Sequence, residues 1–124
     1  MTDTHLETQP HDLGRRGEDL AAAYVADRGL ILLSRNWRCR EGELDLVVTD
    51  GETLIFCEVK TRATAEFGDP SDYVTPEKIL RIRKATRAWL RRYPPGSCDV
   101  RFDVLAVLWP PDGEPEIRHL RGAF

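Results

Sequence analysis

The spacing of apolar residues along the chain predicts two amphipathic helices. In residues 13–28 the apolar positions recur at helical spacing, and Gly29 follows where a left-handed C-terminal cap is expected. A second helix is predicted from Pro76 to about Tyr93, with Thr75 as its N-cap. The residues predicted to face inward on this second helix are Ile79, Ile82, Ala85, Thr86 and Trp89.

Runs of strand-forming residues lie between and after the two helices. They cover residues 30–33, 44–49, 53–60, 100–109 and 117–120. Residues 34–42 are predicted to form a polar loop after a short outer strand, and Asp50-Gly51 between two apolar runs predicts a hairpin. The strand, helix and strand of residues 53–109 predict a right-handed parallel crossover. We therefore predict an α/β fold, with helices flanking a mixed β-sheet.

The length and the cysteine pattern narrow the class of protein. The chain has 124 residues, which fits one domain, and we assign residues 13–124 to it and residues 1–12 to a disordered tail. No apolar run approaches the ~20 residues of a membrane helix, and the start of the chain lacks a signal peptide's apolar region, so we expect a cytoplasmic protein. The three cysteines form no CxxC pair, which argues against a disulfide framework or a structural zinc site.

The distribution of charge points to one anion-binding surface. The formal net charge is −3, from 18 Lys+Arg and 21 Asp+Glu, but residues 76–92 contain seven basic residues and one acidic residue. This segment is therefore +6 and the rest of the chain is −9. A basic helix on an acidic body fits phosphate binding at one place, although a solvated helix face is the simpler alternative. Lys78 and Arg81, near the start of this helix, are the predicted phosphate contacts.

Two carboxylates lie within predicted core strands, where an unpaired charge is costly. They are Asp45 and Glu58. If the Asp50-Gly51 hairpin closes with a two- or four-residue loop, Asp45 lies opposite Phe56 and shares a face with Glu58 and Lys60. A three-residue loop would place Asp45 on the other face.

This trio has the composition of a site for phosphodiester hydrolysis. Mg²⁺ prefers oxygen ligands and is often held by one or two carboxylates with waters and substrate phosphate oxygens. A neighbouring lysine can position or deprotonate the attacking water. The chain has 15 Arg and three Lys, yet one of the lysines stands in Glu58-Val59-Lys60, and lysine can give up its proton where arginine cannot. A simple Glu–Lys ion pair on one strand is the alternative.

The same residues belong to a longer pattern that resembles a known protein family. The matching segments are Gly14-Arg15-Arg16-Gly17-Glu18, Gly42-Glu43-Leu44-Asp45-Leu46, Phe56-Cys57-Glu58-Val59-Lys60-Thr61-Arg62, Phe67-Gly68-Asp69-Pro70, Lys78 and Arg101-Phe102-Asp103-Val104. In this order, from about Leu13 to the C-terminus, they closely resemble the small bacterial YraN-type proteins. That family is placed in the PD-(D/E)XK restriction-endonuclease-like superfamily and is similar to archaeal Holliday junction resolvases.

The resemblance implies a restriction-endonuclease-like core and a role for each matching residue. Asp45 and Glu58 would be the metal-binding acids, Lys60 the motif lysine, and Glu18 an acid of the first helix that helps to hold metal or water. The motif's name has proline where this chain has Leu44. The resemblance also implies Mg²⁺ or Mn²⁺ as cofactor and a homodimer as one assembly state.

Several neighbouring residues have two open interpretations. Glu43 is expected opposite Glu58, either as a further metal contact or as a solvent-facing strand end. Asp103 is either a partner of Lys60 or Arg62 or part of a strand-entry salt bridge. Glycines 14 and 17 weaken the first helix and suggest a close approach there. The polar loop of residues 64–73 either grips a substrate or caps the core.

The leading hypothesis is a Mg²⁺-dependent nuclease for which DNA is favoured over RNA as the substrate, with branched and single-stranded DNA as candidate forms. Its catalytic residues would be Glu18, Asp45, Glu58 and Lys60, and its nucleic-acid contacts Arg62, Lys78 and Arg81. One alternative is a non-catalytic nucleic-acid-binding module on a nuclease fold. A third hypothesis is a protein-interaction role for the basic helix, in which case DNA would not compete with the protein partner.

Overall fold

A computed structural model describes residues 10–64 and 74–124 of the chain. In chain order the elements are α1 (Pro10–Asp27), β1 (Ile31–Cys39), β2 (Gly42–Thr49), β3 (Thr53–Arg62), α2 (Pro76–Arg92), β4 (Asp99–Leu108) and β5 (Glu116–Leu120). Helix α1 begins three residues before the predicted domain start, and residues 1–9 of the predicted tail lie outside the described residues. The predicted loop of residues 64–73 also lies outside them, apart from Thr64.

The five strands form one mixed sheet in the order β1-β2-β3-β4-β5. Strands β3 and β4 are parallel and joined through α2, as predicted, whereas the other neighbouring pairs are antiparallel. Each helix covers one face of the sheet, so the three interior strands, β2, β3 and β4, have buried residues on both faces. The α2 face contains Phe56, Ile82 and Trp89, and the α1 face contains Val25, Ile55 and Leu105. The predicted α/β class with helices flanking a mixed sheet is confirmed.

The ends of both helices follow the predicted local chemistry. The Thr75 hydroxyl accepts a hydrogen bond from the backbone N–H of Lys78 at 3.2 Å, and Pro76 opens α2 where its missing N–H has no cost. Gly29 adopts a φ of 80°, which only glycine reaches without strain, directly after α1. Because the Thr75 cap sets the start of α2, Lys78 lies in the first turn of that helix.

Strand β1 is longer than predicted, and the polar loop predicted over residues 34–42 is wrong for most of its length. The strand continues to Cys39 because it pairs with β2 along its length, with Trp37 opposite Leu44. The indole N–H of Trp89 donates to the Ser34 hydroxyl at 2.9 Å and ties this strand to α2. An edge strand with one solvated side contains polar residues, so its composition resembles that of a loop.

The β2–β3 hairpin has a different register from the predicted one. Thr49 pairs with Leu54, and Val47 rather than Asp45 lies opposite Phe56. The Asp50 carboxylate accepts hydrogen bonds from the N–H groups of the two residues that follow Gly51, both at 2.8 Å, which stabilises a four-residue turn. A shift of two residues keeps the side chains on their predicted faces, because side-chain direction alternates with a period of two.

Candidate active site

The candidate site lies where β2 separates from β3. The last pair of their ladder is Leu46 opposite Cys57, whereas β3 stays paired with β4 as far as Arg62. Beyond that pair, the Asp45 carboxylate accepts a hydrogen bond from the backbone N–H of Val59 at 2.8 Å. The Asp45 side chain thus accepts a hydrogen bond from a backbone N–H of β3 that lies beyond the last paired residues of β2 and β3.

A cleft of about 190 Å³ opens at this point between the two strands and the first turns of α2. Its lining residues are Gly42, Glu43, Asp45, Glu58, Lys78, Arg81 and Ile82. Gly42 faces α2, and a Cβ added there would lie in ordinary contact, at 3.5 Å, with the backbone oxygen of Arg81. The cleft therefore combines three acids from two neighbouring strands with two cations from one helix.

Burial and neighbouring acids perturb the ionisation of Asp45. Burial and then the charge of Glu58 raise the pKa of Asp45 to about 8, although the hydrogen bond from Val59 acts in the opposite direction. The charge of Glu18 on α1 contributes in the same direction as Glu58. Glu58 is buried and forms an ion pair with Lys78. Asp45 therefore lies in a buried, acidic environment that favours its protonated form.

Lys60 lies beside the pair but contacts a second lysine. Burial and then contact with Lys78 lower the pKa of Lys60, and the charge of Glu58 opposes this shift. Lys78 has a raised pKa, because its bonds to Glu58 and Lys60 outweigh its burial. The predicted grouping of Asp45, Glu58 and Lys60 is therefore present, with Lys78 inserted between the last two.

Glu18 approaches the site from the other helix. At Gly17 a Cβ would lie 1.8 Å from the Thr61 hydroxyl, so this glycine allows α1 to pack directly on β3. A Cβ at Gly14 would have no neighbouring atom within 4 Å, so of these two glycines only Gly17 shows the suggested close approach. Within residues 10–64 and 74–124, no three His, Cys, Asp or Glu side chains converge closely enough to hold a metal ion. Asp45 and Glu58 are thus the pair available to a cation, with Glu18 acting on it through its charge.

The remaining predicted contacts lie at different places. Arg81 lines the cleft, whereas Arg62 lies at the end of β3 and donates to the backbone oxygen of Thr61 at 3.3 Å. Glu43 pairs with Arg38 of β1, with 3.5 Å between the charged atoms, so its predicted position opposite Glu58 is wrong. The prediction for Glu43 fails because the pairing of β2 with β3 differs by two residues from the predicted register. Glu43 nevertheless lines the cleft.

Asp103 belongs to a separate buried network on the α1 face of the sheet. Both of its oxygens accept hydrogen bonds from Arg101 at 2.9 Å, and one is 2.7 Å from the His119 ring. His119 in turn contacts the Tyr24 hydroxyl at 3.1 Å. Burial raises the pKa of Asp103. The hydrogen bonds from Arg101, His119 and Gly122 together lower it by more, so the net shift of the pKa is downward. The salt-bridge interpretation is confirmed, with Arg101 as the partner.

His119 is the buried polar residue that the sequence did not reveal. A histidine near the end of a short edge strand has no local pattern that marks it as buried. Only the pairing of β5 with β4 brings it over Asp103 and Tyr24.

The basic residues of α2 fall on two surfaces. Lys78 and Arg81 line the cleft. The exposed cations along the outer side of the helix are Arg83, Lys84, Arg87, Arg91 and Arg92. The predicted basic surface is therefore continuous with the acidic cleft at the N-terminal end of α2.

Comparison with known proteins shows relatives that match nearly the whole chain. A UPF0102 protein of Frankia casuarinae is 54% identical over 112 residues, which is 90% of this chain and 95% of that protein. A UPF0102 protein of Frankia alni is 51% identical, over 90% of this chain and 93% of its own. A third, of Clavibacter michiganensis, is 47% identical over 94% and 98% of the two chains.

Neither described helix is both long enough and apolar enough to cross a membrane.

The family model described as uncharacterised protein family UPF0102 matches residues 17–107, a span that includes the cleft and the residues Asp45, Glu58 and Lys60. With this match and relatives that are about half identical along their lengths, the chain belongs to the UPF0102 family.

Proposed function

We propose that this protein hydrolyses phosphodiester bonds in nucleic acid with the help of a divalent cation, and that DNA is its substrate. The observation that supports this most directly is the meeting of Asp45 and Glu58 in one cleft that opens beside a basic helix, with Lys60 close to Glu58. The resemblance to restriction-endonuclease-like proteins, including Holliday junction resolvases, supports the same assignment.

The acids fit a magnesium or manganese ion. Two carboxylates with waters form a donor set that Mg²⁺ accepts. Burial is the first cause of the raised pKa of Asp45, and the charge of Glu58, the second cause, is one that a cation would compensate. Asp45 and Glu58 would hold the ion, and Glu18 would add to the negative field. When bound, such an ion stabilises negative charge on a phosphate and lowers the pKa of a coordinated water.

The chain's own cations have two tasks in this proposal. Lys60 has a lowered pKa, so a larger fraction of it is neutral and can accept a proton from an attacking water. Arg81 lines the cleft and can hold the phosphate through charge-assisted hydrogen bonds. Arg62, at the end of β3, and Lys78 are further candidates for contact with neighbouring phosphates.

The lining of the cleft favours the nucleic-acid backbone over a base as the group that enters it. Its cations suit a phosphate, and the described residues that line it include no aromatic ring on which a base could stack. Its volume of about 190 Å³ is below the roughly 300 Å³ at which small-molecule pockets begin. The exposed cations of α2 extend the contact along the strand.

The test is cleavage across a panel of duplex, single-stranded and junction DNA and matched RNA, with Mg²⁺ or Mn²⁺. Cleavage by the wild type should disappear in Asp45→Asn and in Lys60→Ala. Glu52→Gln, in the exposed turn between β2 and β3, is the matched control and should remain active. Cleavage that survives both site substitutions would reveal a contaminating nuclease and end the assignment, as would an inactive wild type on every substrate.

A second candidate function is nucleic-acid binding without cleavage, and the exposed basic surface of α2 supports it. This function predicts salt-sensitive binding that is weakened when Arg81 and Arg87 are replaced, with no product formed in the presence of metal. Binding that is unaffected by both replacements would reject it.

A further inference from the structure

We propose that Lys78 is a built-in counter-cation of the acidic pair, which must leave Glu58 before a divalent cation can bind there. This inference rests on the proposed function and specifies which group competes with a cation for Glu58. The ammonium group would hold the site closed to metal until it is displaced, and would then be available to a phosphate.

The ion pair between Lys78 and Glu58 supplies the first argument. The Glu58 side chain is only 6% exposed, whereas that of Lys78 is 27% exposed. A buried carboxylate needs a counter-charge, and Lys78 provides it in the metal-free protein. Both residues line the same cleft as Asp45, so a cation that joins the two acids must share Glu58 with Lys78 or displace it.

The place of Lys78 on its helix supplies a second, independent argument. It lies in the first turn of α2, where the positive end of the helix dipole disfavours a cation. The last turn, where cations are favoured, contains Arg91 and Arg92. Helix stability therefore does not explain a lysine at position 78, whereas the charge of Glu58 does.

The side chain can leave Glu58 without a change of fold. Its backbone is held by the Thr75 cap, and four flexible carbons connect that backbone to the charged group. Arg81 lies one turn further along and lines the same cleft, so a released Lys78 would stand beside it at the entrance. The two together would face an incoming phosphate.

The first experiment measures Mn²⁺ binding to the metal-free protein by electron paramagnetic resonance, without nucleic acid. Lys78→Met should bind Mn²⁺ roughly tenfold more tightly than the wild type, because the competing charged hydrogen bond is absent. Lys84→Met, an exposed residue of the same helix, is the matched control and should bind like the wild type. Lys78→Arg keeps the charge and should bind no more tightly than the wild type.

A second measurement uses the wild type and does not depend on the folding of any variant. The chain has only three lysines, so the side-chain signal of Lys78 can be assigned by nuclear magnetic resonance. On titration with Mg²⁺ it should move toward the signal of an exposed lysine such as Lys84. A Lys78 signal that stays in place while the carboxyl signals of Asp45 and Glu58 shift would overturn the inference.

The outcomes separate this inference from the proposed function. Equal Mn²⁺ affinity in Lys78→Met and Lys84→Met would refute the counter-cation and leave the metal site standing. Absence of Mn²⁺ binding in every variant would refute both. Tighter binding in Lys78→Met without cleavage of any nucleic acid would support the counter-cation while rejecting the nuclease.

Discussion

Replacing Asp45 with asparagine is expected to stabilise the protein when no divalent cation is present. The amide oxygen of asparagine can still accept the hydrogen bond from Val59, and the carboxyl that is placed beside Glu58 is gone. Residues arranged for function are often unfavourable for stability, and this acid is the clearest instance in the described part of the chain.

The structure sets the size of the effect. Burial and the charge of Glu58 raise the pKa of Asp45 from 3.8 to about 8, so at pH 7 the folded protein keeps a proton that the unfolded chain has released. At about 1.36 kcal/mol per pKa unit, the cost to the folded state has a ceiling of about 4 kcal/mol. Water reaches part of the Asp45 side chain and screens it, so we expect Asp45→Asn to gain about 1–3 kcal/mol.

The pH dependence has a definite sign. Between about pH 4 and pH 8 the folded protein binds more protons at Asp45 than the unfolded chain, so this residue lowers the stability of the wild type as pH rises. The Asp45→Asn variant should lack this slope. A divalent cation should raise the stability of the wild type more than that of the variant.

Urea unfolding followed by circular dichroism at several pH values, with a chelator present, measures both effects. Glu43→Gln is the control, because Glu43 lines the same cleft but pairs with an exposed arginine. It should change the free energy of unfolding by no more than about 0.5 kcal/mol. An Asp45→Asn protein that is less stable than the wild type at pH 7, or that keeps the wild-type slope, would refute the reasoning.

Three further substitutions test contacts elsewhere in the fold. Gly17→Ala should cost about 1–3 kcal/mol in urea unfolding, because the new Cβ would collide with Thr61; unchanged stability would contradict the close approach of α1. Asp103→Asn should cost about 2–4 kcal/mol at pH 7. Since the pKa of Asp103 is lowered, wild-type stability from this residue should persist above about pH 4 and fade below it, which acid titration of both proteins measures. Trp89→Phe removes the bond to Ser34 and should lower the thermal midpoint, with a cost of about 1–2 kcal/mol.

The local signals in the sequence predicted most of the fold. The Thr75 cap, the left-handed Gly29 and the parallel crossover between β3 and β4 all occur as expected. Each depends on interactions between residues that are close in sequence or on the handedness of a connection, so a single chain shows them directly.

The elements that were predicted wrongly depend on distant partners. The second half of β1 contains polar residues and forms a strand because β2 pairs with it. The hairpin register moved by two residues because the Asp50 carboxylate organises a longer turn. His119 became part of a buried network only when β5 paired with β4 beside Asp103.

The sequence by itself determined which residues could perform chemistry here. They are two acids and a lysine in apolar strands, where an unpaired charge is costly, and a helix of charge +6 is also present. Alternation of side chains along strands made their common face predictable even with the register shifted. Only the tertiary structure decided that the two strands separate beyond the Leu46–Cys57 pair, which leaves a cleft at Asp45. The packing of α2 alone placed Lys78 against Glu58, because contacts between residues 20 positions apart depend on how the helix docks on the sheet.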